Sequence, residues 1–300
     1  MVATAIAQER WPWEGETAET REALATLAPH LEHALNALPT HRALWKVVAR
    51  SVRTGLLAPR VILDRDPGDD PWHRFFRGTI ATWWSQSTGE EDLRAAYDEF
   101  SRRGDTLGTA CCARGLAFHA LVRRELDLVD LWLDRTQGHN EPALTAIVER
   151  LRGTVCLYRR TLDDAVGHLV HARAMARDLQ LNELDGACSF DLARVYEARE
   201  QGNQALDTLE DLLNSPTIGT AMVSHVRAEL ACVWLDFGRP GEAMDTVAEA
   251  ITHGQRNGRT IDIWIGALLS AWAEIQRGGD PSPWIRMARK SARTDNQKAH

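Results

Sequence analysis

Long apolar runs are missing from this 300-residue chain. No stretch approaches the roughly 20 apolar residues that a helix needs to cross a bilayer. The opening MVATAIAQERWPWEGE has no basic flank and no real hydrophobic core. No secretory leader is expected, and a cytoplasmic location is. Cysteine is scarce: Cys111, Cys112, Cys156, Cys188 and Cys232 are odd in number and form no CxxC pair. That argues against a disulfide framework and for reduced, buried thiols. Positive charge is in deficit, with a net charge of −7. Binding to nucleic acid rests on cations that neutralise phosphates, so no nucleic-acid partner is expected. The one basic stretch, RMARKSARTDNQK at 286–298, reads as a solvated helix end or as a contact for an acidic partner.

Chemical signatures are missing too. There is no GxxxxGK[ST] phosphate loop, no clear helix-turn-helix, no GxSxG elbow, no HExxH and no Cys/His/Asn set. His30 and His33 sit three apart, as do His168 and His171. Two imidazoles on one face do not complete a metal site, which takes at least three ligands. Exposed helix histidines are the expectation, with no metal and no cofactor. Acidic pairs such as Glu90–Glu91, Asp163–Asp164 and Asp69–Asp70 fall in turns or at helix starts. There they satisfy unpaired backbone N–H groups and the helix dipole. Nothing names a reaction, so the sequence points away from an enzyme without deciding the matter.

What is abundant is helix-forming sequence. Ala, Leu, Arg and Glu dominate, and no alternating run resembles a strand. Breakers such as RRGD (102–105), EQGN (200–203) and FGRPGE (237–242) recur at short intervals. Between them, apolar residues recur three and four apart, as in a series of helices joined by tight turns.

These helices repeat. Aligning a large residue late in the first helix of each pair gives Trp84, Phe118, Cys156, Tyr196, Trp234 and Trp272, with gaps of 34, 38, 40, 38 and 38. Three residues earlier lie Ala81, Gly115, Gly153, Ala193 and Ala231, with Leu269 the exception. Nine later come Leu93, Asp127, Ala165, Ala205, Ala243 and Pro281, and thirteen later Tyr97, Leu131, Leu169, Leu209, Val247 and Ile285. A helix pair cannot bury its apolar stripe alone, so it stacks on the next pair. The small residue lets the partner helix approach, and the large one fills the remaining gap. Tyr196 and Trp234 are therefore expected as packing wedges.

The pattern resembles the tetratricopeptide repeat (TPR). RAELACVWLDFGRPGEAMDTVAEAI (227–251) carries the resemblance best, followed by DLARVYEAREQGNQALDTLEDLL (191–213) and LRGTVCLYRRTLDDAVGHLVHA (151–172). It covers about 75–293. The repeats, at 38–40 residues, are longer than usual and lack the proline that often ends them. They are similar to the TPR segments of bacterial LuxR-family ATPase regulators. The resemblance implies an all-α fold: a right-handed superhelical solenoid of about five to six antiparallel helix pairs. The expected domains are an N-terminal helical cap and linker at 1–70, a repeat domain at 71–293 and a disordered tail at 294–300. The first segment holds two helices, the first starting at Thr17 or Thr20, then a proline-broken linker at 56–70. It caps the first repeat or serves as a separate docking segment.

The resemblance also implies a site. In a TPR superhelix the first helix of each pair lines a concave groove. Register then places His119 and Cys112, Arg150, Thr154 and Tyr158, Phe190, Arg194 and Glu197, Cys232, Leu235 and Asp236, and Ser270 and Glu274 on that face. Such grooves hold a peptide or protein segment, as in an adaptor or a regulatory sensor. Arg150 and Arg194 suit a carboxylate fork, or they pair with neighbours such as Glu149 or Glu197. The alternative is a small-molecule receptor or helical enzyme around Trp72, Phe76, Trp83 and Trp84, a cluster that is otherwise core or cap packing. WIGALLSAWAEIQ (264–276) is unusually apolar, and a poorly capped repeat end there would support a homodimer.

Overall fold

The computed structural model describes residues 18–53, 56–83, 88–215, 218, 220–257 and 260–298. Among the described residues the chain is all-α, with fifteen helices and no strand. It divides into two compact units, Met1–Cys188 and Ser189–His300.

The first unit begins with α1 (Ala18–Ala37), α2 (Arg42–Arg53) and the single turn α3 (Arg60–Leu63). Leu24, Ala28, Leu31 and Leu35 form a buried stripe at helical spacing on α1. It packs on α2, which in turn meets α3 and α4 (Pro71–Trp83). Trp45 of α2 is buried, stacks on His73 of α4 at 4.6 Å, and donates its indole N–H to Pro39 O at 2.6 Å. Val61 and Ile62 bury the short turn, so the segment expected as a linker is seated in the core. Thr17 lies outside the described residues.

Then come α5 (Thr88–Arg103), α6 (Thr106–Val122), α7 (Leu126–Asp134), α8 (Pro142–Tyr158), α9 (Leu162–Asp178) and the start of α10 (Asn182–Ala198). The unit boundary falls inside α10. The second unit continues with α11 (Gly202–Asn214), α12 (Thr220–Asp236), α13 (Pro240–Asn257), α14 (Thr260–Arg277) and α15 (Ser282–Lys298). Helix α15 runs past residue 294, where a tail was expected. Within each unit the packing is that of a TPR-like repeat: consecutive helices, folded back by tight turns, lie against one another.

The small–large pattern has a direct structural counterpart. At Gly153 of α8, a Cβ would lie 2.7 Å from Leu169 Cγ and 3.3 Å from Ala165 O, both on α9. Ala165, Leu169, Ala205, Leu209, Ala243 and Val247 are all buried, as the spacing of nine and thirteen requires. Tyr196 and Trp234 are half-buried and pack against the apolar clusters of the second unit. The last repeat departs from the pattern, with its close approach at Gly266 and Trp272 exposed, and so do two in the first unit. In α4 the close approach moves to Gly78, whose Cβ would lie 2.9 Å from Leu93 Cγ. The short α7 buries Val129, Trp132 and Leu133, leaving Asp127 and Leu131 outside.

Seven of the helix ends share one cap. Gly104, Arg124, Arg160, Gln180, Glu200, Gly238 and Gly278 all adopt positive φ, between 57° and 73°. The next N–H then reaches back five residues, as from Thr161 to Cys156 O at 3.0 Å and from Arg239 to Trp234 O at 2.9 Å. This left-handed cap pairs carbonyls that the helix end leaves free. Four of the seven caps are not glycine. The left-handed conformation costs such a residue about 1 kcal/mol, part of which glycine gives back as unfolded-chain entropy. Converting Arg160, Gln180 and Glu200 together to glycine is expected to raise the melting temperature by about 3–6 °C, at about 0.5 kcal/mol each. Calorimetry showing no rise would reject that account.

Candidate functional site

In the first unit the expected groove residues are largely drawn into packing. Cys112 and Thr154 are buried, and the Thr154 hydroxyl donates to Arg150 O at 3.0 Å. Arg150 is half-buried. Tyr158 lies under the Arg124 guanidinium, 3.7 Å from the ring centre. His119 contacts Thr82 through Nδ1 at 3.5 Å and Glu90 through Nε2 at 3.5 Å. Burial lowers its pKa, against the pull of Glu90. The Glu149 carboxylate meets His168 of α9 at 2.8 Å and Arg152 of its own helix at 2.8 Å. Burial pushes the Glu149 pKa up, but these hydrogen bonds hold it below the usual range. One histidine pair is thus tied to a carboxylate.

The aromatic group at Trp72 fills the core. Its ring centre lies 5.6 Å from Phe75, 6.2 Å from Phe76 and 4.8 Å from Phe100, and the Arg42 guanidinium sits 4.1 Å above it. Rings packed this closely leave no room for a ligand between them. Trp83 is partly exposed and stacks on Phe118 at 5.7 Å. Trp84 lies outside the described residues.

In the second unit, side chains from α10 and α12 converge. Asp191, Arg194 and Glu197 line one face of α10, at spacings of three. Arg194 Nε lies 3.3 Å from Glu229 Oε1 of α12, and its Nη1 lies 3.8 Å from Asp191 Oδ1. Asp191 is only 2% exposed. The Glu229 carboxyl also faces Glu197 and Asp191, whose negative charges disfavour its ionisation. Burial pushes the Glu229 pKa up to about 7; Arg194 opposes this, while Glu197 and Asp191 add to it. Nearby Cys232 is pushed up to about 12, by burial first and then by the same carboxylates. Its sulfur stays a neutral thiol, unsuited to nucleophilic work. Phe190 lies 6.0 Å from the Arg194 guanidinium, and Asp236 is exposed at the end of α12. Leu235 and Ser270 are buried.

Two carboxyls, Asp191 and Glu229, therefore flank one guanidinium, and Glu197 adds its charge beside Glu229. Glu229 keeps its proton more readily than an ordinary carboxyl, and with three acids to one base the cluster carries excess negative charge. It attracts an ammonium or guanidinium group and repels a carboxylate. Among the described residues no three His, Cys, Asp or Glu side chains converge as a metal site requires. The register argument reached Arg194 and Glu197 but missed Asp191 and Glu229. A signal was present: both acids lie five residues before the aligned aromatic, Tyr196 and Trp234, in consecutive repeats.

No protein-family model and no curated protein matches the chain. Solved structures do. Aspartyl phosphate phosphatase F from Bacillus subtilis is similar with a TM-score of 0.57 at 12% identity, over 93% of this chain and 71% of that one. A Signal Transduction ATPase with Numerous Domains protein with a tetratricopeptide repeat sensor, from Pyrococcus horikoshii, is similar with a TM-score of 0.48 at 15% identity. That match covers 94% of this chain and 45% of the other. At these identities the likeness concerns the fold. Among the described residues no helix is long and apolar enough to cross a membrane.

Proposed function

We propose that the chain is a TPR-like interaction module that binds a peptide or protein segment, as an adaptor or a regulatory sensor. In each unit the first helices of the pairs carry the binding face. Arg150, Tyr158 and His119 belong to that face in the first unit, and Phe190, Arg194, Glu197 and Asp236 in the second. The observation that supports the reading is the convergence of Asp191, Arg194, Glu197 and Glu229 from two adjacent first helices. Arg194 is engaged by carboxylates, so the segment presents a cation there: a lysine, an arginine or a free amine. Opposite charges steer such a segment to the site and make its binding salt-sensitive.

Fluorescence anisotropy with cationic, neutral and acidic peptides tests this on the full chain. Cationic peptides are expected to bind, and more weakly as salt rises. The Glu197→Gln, Glu229→Gln double variant is expected to lose about tenfold in affinity, equivalent to about 1.4 kcal/mol. A preference for acidic peptides, lost in Arg194→Glu, would return the site to a carboxylate fork. Equal binding of all three classes, unchanged in the double variant, rejects the site.

A further inference from the structure

The α10–α12 cluster sets three acids, Asp191, Glu197 and Glu229, against the single base Arg194. Asp191 is buried, while Glu229 and Arg194 keep 22% and 23% of their side chains exposed. A ligand therefore reaches Glu229 and Arg194 from solvent, and Asp191 acts on it from beneath. One guanidinium balances one carboxylate. Fully ionised, the cluster would hold two further negative charges in a partly dehydrated space. A carboxyl in that position relieves the repulsion by taking up a proton. Glu229 carries the two features that select it: burial, and the charges of Glu197 and Asp191, which together outweigh Arg194.

Other charges on the packed helices are turned elsewhere. On α12 itself His225 and Asp236 are exposed, Cys232 is a neutral thiol, and Arg227 pairs with Glu249 of α13. On α11 the acids Asp207, Glu210 and Asp211 are exposed. On α13 Asp245 and Arg256 are exposed, and Glu242 pairs with Arg239. His253 Nδ1 lies 2.8 Å from Ser224 Oγ and 4.0 Å from Asp262 of α14. Glu274 of α14 lies 3.8 Å from Arg277.

We propose that the α10–α12 site exchanges a proton for its cationic ligand: Glu229 holds the proton until a lysine or guanidinium group docks beside it, then releases it to solvent, so that binding strengthens as pH rises. The inference rests on the cationic-segment reading above and adds its regulation. The net charge of the cluster is the same before and after, because one positive charge replaces another. A cation within about 4–6 Å favours the ionised form of a carboxyl. Coupling of this kind is reciprocal, so ionising the carboxyl favours the cation equally. The same segment then binds strongly in a mildly alkaline medium and is let go in a mildly acidic one.

Fluorescence anisotropy on the full chain tests this with a rhodamine-labelled, acetylated peptide of glycine, serine and arginine. The charge of that peptide does not change between pH 6 and pH 8. At fixed salt its affinity is expected to be about tenfold tighter at pH 8 than at pH 6. The reason is that the ionised fraction of a carboxyl titrating at about 7 climbs from about 0.1 to about 0.9. Titration calorimetry at pH 7, in phosphate and in Tris, is expected to show about half a proton released per peptide bound. Glu229→Gln is expected to lose most of the pH difference, to bind near the wild-type level of pH 6, and to release no proton. Equal wild-type affinity at pH 6 and pH 8 overturns this inference and leaves the cationic-segment reading standing. So does a Glu229→Gln chain that keeps the pH dependence, which would assign it to histidines such as His225 and His253, whose protonation also repels a cation. A chain that binds the peptide at neither pH overturns both.

Discussion

Gly153→Leu is expected to lower the melting temperature by about 6–12 °C, the equivalent of about 3 kcal/mol in a domain of this size. Even a Cβ at this position would lie 2.7 Å from Leu169 Cγ and 2.9 Å from Leu169 Cδ2, and Leu169 is fully buried. A leucine adds three more carbons, so the α8–α9 crossing must open or Leu169 must leave its rotamer. Helix propensity pulls the other way, since leucine is better than glycine in a helix interior by about 1 kcal/mol. The steric term is larger because Ala165 O, 3.3 Å from the added Cβ, is backbone and cannot rotate away. Adding Leu169→Ala to Gly153→Leu returns the volume to the other side of the crossing, and part of the loss is expected to be recovered. Calorimetry of the two variants separates the explanations. If the double variant melts no higher than Gly153→Leu alone, the two side chains are not in competition, and the small–large account of the repeat fails at its clearest point.

Glu229→Gln is expected to stabilise the protein near pH 8 and to change little near pH 5. The Glu229 carboxyl titrates at about 7 in the folded chain, against an ordinary value of 4.5. Burial is the main cause; Arg194 works against it, and Glu197 and Asp191 work with it. The folded state therefore holds one more proton than the unfolded state between those two values. The stabilising contribution is complete below about 4.5 and is lost as pH rises through about 7. A difference of 2.5 units, 7 minus 4.5, corresponds to about 3 kcal/mol at most. Glutamine keeps an acceptor for Arg194 and cannot ionise. Buried His73 and half-buried His119 and His139 have lowered pKa values, by burial first. They tilt stability the opposite way at the acid end, because a histidine buried neutral must take up a proton there. The decisive quantity is thus wild type minus variant, from urea unfolding between pH 5 and pH 8. A difference that stays constant across that range would show that Glu229 ionises normally.

Some of this architecture could be read before any coordinates. The run from Ala193 through Tyr196 to Ala205 and Leu209 carries its own logic of helix, turn and helix, and those residues pack as the spacing indicates. Segments such as EQGN and FGRPGE contain the left-handed caps Glu200 and Gly238. Other features resisted. Gly78 and Gly89 moved the first crossing three residues from the expected Ala81, because two glycines bring backbones closer than an alanine does. Trp72 and Phe76 were open to two readings, core or pocket, and ring-to-ring packing chose the first. Arg194 was open to two partners, a ligand carboxylate or a neighbour; the neighbours are Asp191 and Glu229. The latter lies 35 residues downstream.

By itself, the order of residues determined that this chain folds into repeated helical hairpins. Helix periodicity, turn chemistry and the alternation of small and large side chains act over a few residues, and each stretch carries its own instruction. Tertiary structure alone decided which side chains gather around Glu229, and which face of α14 meets water. Those outcomes depend on how far a helix is rotated about its axis against its neighbour. A turn of one residue, 100°, moves a side chain from core to solvent, and nothing local in the sequence sets that angle.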